Sequence, residues 1–416
     1  TGTFTIPMMK RCGYRPVFAG AVEAVASTGG QIMPPIMGAA AFLMAEYMGV
    51  TYGQVTLWAI LPAVLYFGGI FISVHLEAKK LGLKGIPRSE LPRFKYLIRN
   101  VYLLLPLVFL IWMVTANIRS LQFSAAIAIL ISIAVSLVGT ICDASAEVRE
   151  TKTGSVAGIT AKKTGRMILD SLEAGGKGSI TVAVACAMAG MIAGCITVTG
   201  LASKLISGVI AISSAIPNPT LSLLLALFLT MLCCIVLGMG VPTTANYIIM
   251  ATTCAPILAS GMDLNLMAAH MFCFYFGIVA DITPPVALAA YAGSAIAKAP
   301  PMKTAWNATR LAIAAFIIPY IFAYNNALIF VGSDVNFLSV ASIVISATLG
   351  MASIASGLMG YLIRDMKWIS RIALVAGGLL MVIPGTVTDL AGLAVLVAVL
   401  VLQRIENKKD KAAASV

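Results

Sequence analysis

The chain has 416 residues, 60% of them hydrophobic and only 11% charged, with a mean hydropathy of +0.98. Apolar runs of about 20 residues recur along its whole length, which excludes an ordinary soluble domain and predicts an all-α polytopic membrane protein. The net charge of +12 sits mostly on alternate loops between those runs, as the positive-inside rule requires. No basic-aromatic groove pattern accompanies it, so the expected partner is the lipid bilayer and no nucleic acid.

Residues 1–9 read as the tail of a membrane segment closed by Lys10, Arg11 and Arg15, a basic cytoplasmic end. The chain opens inside that apolar stretch, which predicts that its natural start lies upstream. Residues 17–48 form a small-residue segment broken at Gly29-Gly30 and Pro34-Pro35. Adjacent prolines remove two backbone donors and restrict the residue before them, so a helix must stop and restart there. Residues 54–74 return, and the loop over 79–99 holds Lys79, Lys80, Lys84, Arg88, Arg93, Lys95 and Arg99 against Glu90, the strongest cytoplasmic marker. Residues 101–116 and 121–141 predict a helical hairpin with a short outside turn, where Arg119 is an exception to the charge rule. The stretch 147–177 is too polar to span. Lys162, Lys163 and Arg166 followed by Met167, Ile168, Leu169 and Leu172 predict a basic amphipathic helix along the cytoplasmic surface, with a solvated linker as the alternative.

Residues 179–200 cross outward and contain Gly190-x-x-x-Gly194, a small-residue helix-contact pattern. After Pro217-Asn218-Pro219, two short apolar arms, 221–237 and 246–258, flank Gly238-Met239-Gly240-Val241-Pro242-Thr243-Thr244. They predict a re-entrant hairpin, against the alternative of one kinked helix that would put the downstream loops on the wrong sides. Residues 266–296 form a second broken helix, interrupted at Asp281-Ile282-Thr283-Pro284-Pro285 and ending at Lys298 and Lys303. Residues 305–324 lead to a loop, 325–336, without Lys or Arg. Residues 338–362 return to Arg364, Lys367 and Arg371. The last apolar region turns at Pro384-Gly385 and ends at Arg404, Lys408 and Lys409, predicting a short hairpin with the C-terminus inside.

The two proline knots belong to a repeat. Pro7 precedes Pro34 by 27 residues and Pro256 precedes Pro284 by 28, with a short polar turn between each pair of arms. The first turn is basic and the second has no Lys or Arg, so the units enter from opposite sides, the pattern of an inverted repeat. On that offset the partner of the Gly238 to Thr244 tip falls before residue 1, so the first hairpin lacks its tip and first arm.

Free carbonyls, hydroxyls and half-helix ends are hard oxygen ligands for Na⁺, while half-helix N-termini suit an anion. The ion-binding candidates are Ser27, Thr28, Gly29 and Gly30 in the first knot and Gly238, Gly240, Thr243, Thr244, Asp281 and Thr283 around the second. The substrate-binding candidates are Gln31, Pro34, Pro35, Asn246, Pro284 and Pro285. For any single Ser, Thr or Gly here, helix packing is the ordinary role. Asp281 is sharper, because an acid near the centre of a span costs about 2.5–3.5 kcal/mol on insertion scales. It suits a cation or a proton. Glu23 and Glu46 are weaker candidates, Glu46 lying close to its segment's end. With eight cysteines lacking C-x-x-C spacing, two histidines and no H-E-x-x-H, no catalytic metal site or cofactor is expected beyond possible Na⁺ as coupling ion. An intramembrane hydrolase using Asp281 would need a second acid or a Ser/His pair, and neither Gly-x-Gly-Asp nor Gly-x-Ser-x-Gly occurs, so no enzyme is expected. A channel accounts less well for matched discontinuous helices than alternating access does.

Thr5-Ile6-Pro7-Met8-Met9, the run from Val22 to Pro35, the Gly238 to Thr244 tip and Asp281 to Pro285 resemble the large membrane subunit of tripartite ATP-independent periplasmic (TRAP) transporters, specifically the fused TAXI-type permeases, over about residues 1–325. The resemblance implies a bacterial or archaeal inner-membrane secondary transporter in which an elevator-like domain of two hairpins and two broken helices moves against a scaffold. It further implies a periplasmic solute-binding protein as partner, an ion gradient, commonly Na⁺, as driving force, and organic acids as substrates. Small-subunit-like helices, fused or separate, the early scaffold helices and most of the inner hairpin are not in this chain, which by itself is not expected to transport. On this reading residues 1–99 are the remainder of the first repeat, 100–325 the second, and 326–416 additional helices with a basic tail.

Overall fold

Proline and glycine set where the helices start and stop. The computed structural model describes residues 1–87, 94, 98, 101–116, 121–151, 155–332, 335–382 and 385–414. Arg88, Glu90, Arg93, Lys95 and Arg99 of the basic loop, together with Arg119, Pro384 and the side chains of Lys408 and Lys409, lie outside the described residues. Among the described residues all elements are helical, and six helices are long and apolar enough to cross a membrane: Tyr52–Lys80, Gln122–Cys142, Pro219–Leu237, Pro301–Tyr324, Phe337–Met359 and Thr386–Asn407. The chain divides into two compact units, one of Thr1–Val50, Gln54–Gly85 and Ala189–Val416, the other of Thr51–Gly53 and Ile86–Met188.

The first unit begins with α1 (Gly2–Arg11) and α2 (Pro16–Gly29). Pro16 sits in the first turn of α2, where its missing N–H is no loss. The knot follows, with a cis Pro34-Pro35 bond and Met37 at φ 33°, then α3 (Ala39–Met48) and α4 (Tyr52–Lys80).

In the second unit, α5 (Leu105–Thr115) and α6 (Leu121–Thr151) form the expected hairpin. The chain then enters α7 (Val156–Val198), a single helix of 43 residues whose last ten, from Ala189, belong to the first unit. This differs from the sequence expectation of a surface helix followed by a separate span. No proline interrupts these residues, the interior glycines cost only about 1 kcal/mol each, and one-turn ion pairs, Arg166–Asp170 at 4.0 Å and Lys177–Glu173 at 2.5 Å, bridge the polar stretch.

Back in the first unit, α8 (Leu201–Ser214) leads to α9 (Pro219–Leu237), whose first turn is capped by Asn218 Oδ1 accepting from Thr220 N and Leu221 N. The chain breaks over 238–242 and resumes as α10 (Thr243–Thr253) and α11 (Ala255–Ala259). Ala226 of α9 and Ile257 of α11 share one apolar cluster with Val209. A continuous helix would hold those two residues about 45 Å apart, so the segment is a hairpin and not a kinked rod.

The second broken helix is α12 (Leu266–Val279), a 3₁₀ turn Ala280–Ile282, a cis Pro284-Pro285 bond with Ala287 at φ 37°, and α13 (Leu288–Ala297). Every residue of α12 from Met267 to Val279 is buried, as befits a helix apolar on all sides. Its rings pack on one another and on the next span: Phe272 lies 4.7 Å from Phe276 and 5.5 Å from Tyr320. That span is α14 (Pro301–Leu311) and α15 (Ile313–Tyr324).

The two broken helices run head to tail. The half before the first knot meets the half after the second, at Gly20 and Gly293, where a Cβ on Gly293 would stand 2.5 Å from Gly20 O. Conversely, Tyr47, after the first knot, packs on Tyr247 of α10, whose hydroxyl bonds His270 Nδ1 ahead of the second knot.

Three further helices close the chain: α16 (Phe337–Met359), α17 (Trp368–Leu380) and α18 (Thr386–Ala414). Glycines let their backbones touch. A Cβ on Gly378 would lie 2.6 Å from Gly350 O, and one on Gly392 would lie 2.4 Å from Gly377 O.

Candidate functional site

A helix start leaves backbone N–H groups without intrahelical partners, and a polar side chain at the cap position ordinarily takes one. Asparagines do this at several starts: Asn218 before α9, Asn265 before α12 and Asn336 before α16. At the knots and the hairpin tip the cap positions are Gly38, Ala287 and Pro242, and none of α3, α13 or α10 receives a side-chain cap. Three half-helix N-termini therefore present N–H groups at the breaks, the arrangement that attracts an anionic group.

Around the second knot, Gly238 ends α9 because nothing larger fits. A Cβ there would meet Asn246 Nδ2 at 2.6 Å and Ala280 Cβ at 2.9 Å. Gly240 takes φ 75°, a left-handed conformation that turns the tip. Thr243 and Thr244 follow on the first turn of α10, half-buried, and Thr243 Oγ1 points at Asp281 Oδ2 from 3.5 Å, a long contact. The hairpin tip and the broken helix thus place a hydroxyl and a carboxylate side by side. Asp281 is half-buried.

Other members brace the break. Asn246 is fully buried, its Nδ2 donating to Gly277 O at 3.0 Å while its Oδ1 has no partner. Thr283 Oγ1 donates to Val279 O at 2.7 Å, and Tyr291 hydroxyl donates to Pro285 O at 2.5 Å. Thr309 of α14 donates to Ile282 O at 3.2 Å, a partner that sequence reasoning missed.

The first knot is built alike. Met37 N bonds Met33 O at 3.2 Å, as Ala287 N bonds Thr283 O at 3.2 Å, 250 positions on. Gly38 N bonds Gln31 O at 2.9 Å, so Gln31 helps close the turn. Gly29 is a contact glycine, since a Cβ there would overlap the Tyr66 ring at 2.2 Å, and Tyr66 hydroxyl itself donates to Val25 O. Thr28 is buried, while Ser27 and Gly30 are exposed and Pro34 and Pro35 half-buried. Ser27 Oγ donates to Glu23 Oε1 at 3.2 Å, and Thr1 and Thr5 donate to the same carboxylate, which raises Glu23 from a minor candidate to the centre of a hydroxyl cluster. Glu46 shows no comparable cluster. The structure brings the two knots into one neighbourhood, because α2 packs on the 3₁₀ turn carrying Asp281.

The family model for the tripartite ATP-independent periplasmic transporter, DctM component, matches residues 1–337, four-fifths of the chain and both knots. The chain belongs to the DctM family. This makes it a multi-pass membrane component of a TRAP secondary transporter and not an enzyme. No curated protein matches the chain.

Proposed function

We propose that this DctM-family chain is the membrane subunit through which a binding-protein-dependent secondary transporter of the TAXI type imports organic acids, by symport with an ion. The observation that carries this reading is the set of uncapped half-helix N-termini at Gly38, Pro242 and Ala287 beside the Thr243–Asp281 pair. Free N–H groups on half-helices suit a carboxylate, and a carboxylate with hydroxyls suits a hard monovalent cation. The head-to-tail broken helices support alternating access by elevator-like motion of the two knots together. Periplasmic solute-binding protein and small-subunit-like helices complete the proposed assembly in a bacterial or archaeal inner membrane.

Na⁺ is the favoured coupling ion, with hydroxyls, carbonyls and Asp281 as ligands. H⁺ is the second reading, favoured by the same observation that Asp281 is a half-buried acid with a hydroxyl as its side-chain partner. The test is uptake of a radiolabelled dicarboxylate panel into proteoliposomes holding the full natural permease with its binding protein. Uptake that follows a Na⁺ gradient at fixed pH supports Na⁺ symport. Uptake that persists without Na⁺ and collapses with the pH gradient sinks it in favour of H⁺.

A further inference from the structure

The family match ends at residue 337, where α16 begins, so the C-terminal three-helix bundle lies outside the part of the chain that the family describes. Its attachment is nevertheless continuous from end to end. Midway, α4, α15 and α16 converge on Gly69, where a Cβ would stand 2.7 Å from Ala314 Cβ and 3.9 Å from Met351 Sδ. At the other end of α16, the 3₁₀ turn Asn326–Ile329 packs against it with Leu328 and Ile329 fully buried.

The C-terminal end of α16 carries the most specific contacts. The last carbonyls of a helix have no intrahelical donors and carry partial negative charge. Here Lys80 of α4 donates to Met359 O at 3.0 Å, while Arg371 of α17 donates to Gly357 O at 2.9 Å and Leu358 O at 3.1 Å. Arg310 of α14 sets its guanidinium 3.1 Å from Met359 Sδ, with the buried Glu77 carboxylate supplying opposite charge nearby. Lys80 also reaches Asp365, in the turn beyond α16, at 3.8 Å. One helix end is thus held by Arg371 within the bundle and gripped from the flank by cations of α4 and α14. Sliding the bundle by a turn would strip Met359 O of its Lys80 donor and part Arg310 from Met359 Sδ, leaving two partly desolvated cations without those partners.

We propose that the flank formed by α4, α14 and α15 is the docking surface for the C-terminal bundle, and that the bundle stays locked to the unit carrying both knots throughout transport, moving as part of it. The bundle belongs to the same compact unit as those helices, whereas Ile86–Met188 belong to the other. The inference rests on the elevator-like motion of the knots proposed above.

The test tethers the bundle to that flank in the full permease, in a background without native cysteines. Lys80→Cys with Asp365→Cys is bridged by a short bis-maleimide. Asn325→Cys with Ser342→Cys, which line one small cavity of about 220 Å³ at the opposite end, repeats the test without touching the cationic grip. Both pairs are expected to cross-link, with proteoliposome uptake within about twofold of the untethered protein; a loss of about tenfold or more on tethering overturns the inference. Failure of both pairs to cross-link overturns the docking itself. Absence of uptake before tethering counts against the transport reading, and the inference falls with it.

Discussion

At the scale of single residues, the two knots carry their acids at different places. Asp281 occupies the second knot, and the equivalent position of the first is Gln31, 250 residues earlier. Glu23 lies one turn ahead of Ser27, and its equivalent is Cys273, buried beside Cys234. Aligned at that offset, residues 23–35 and 273–285 carry their acids, Glu23 and Asp281, at different depths in the motif. Asp281→Asn keeps the shape and removes the charge, so we expect folded protein with ion stimulation weakened about ten- to a hundredfold, read as uptake with and without the ion gradient. Glu23 has a holding role: its carboxylate accepts from hydroxyls on α1 and α2 at once. Glu23→Gln supplies one acceptor oxygen and an amide donor that no hydroxyl cluster needs, so thermal unfolding in detergent should show a loss of about 1–2 kcal/mol. Melting unchanged from the parent would remove Glu23 from this role. The hydroxyl cluster was not legible from spacing alone, because it forms across the turn between α1 and α2, and no periodicity in either helix announces its partner.

Among elements, what was legible is what backbone chemistry dictates. Pro34-Pro35 and Pro284-Pro285 lack N–H groups and had to break their helices, and the Gly238 to Pro242 tip turned the hairpin where the sequence put it. Less legible was α7, where charged residues imitate a surface helix although nothing terminates it before Val198. Glycine pairs needed the structure as well. Gly190 and Gly194 match a helix-contact spacing, yet a Cβ on either meets nothing within 4 Å, whereas Gly20 and Gly293 match no motif and touch backbone to backbone. We therefore expect Gly293→Ala to destabilise by about 1–3 kcal/mol and depress uptake. Gly190→Ala should be neutral or gain up to about 1 kcal/mol from helix propensity. Parallel thermal melts decide it, and equal effects at both positions would contradict the crossing.

For the whole molecule, the contacts that join distant parts of the chain, Thr309 to Ile282, Tyr66 to Val25 and Lys80 to Met359, link positions that local pattern cannot pair. The repeat made the knots visible, while their meeting place came from packing. That meeting place has a thermodynamic consequence. At Gly20 and Gly293 no side chain separates the two broken helices, so neither can shift without carrying the other. If the knots bind ion and substrate as proposed, occupancy of one alters the free energy of filling the other, and such linkage is reciprocal at equilibrium. The factor by which a saturating coupling ion tightens substrate binding must equal the factor by which saturating substrate tightens the ion. Calorimetric titrations run in both orders would return one number from two independent measurements, and a spacer forced between the two glycines should drive that number towards unity.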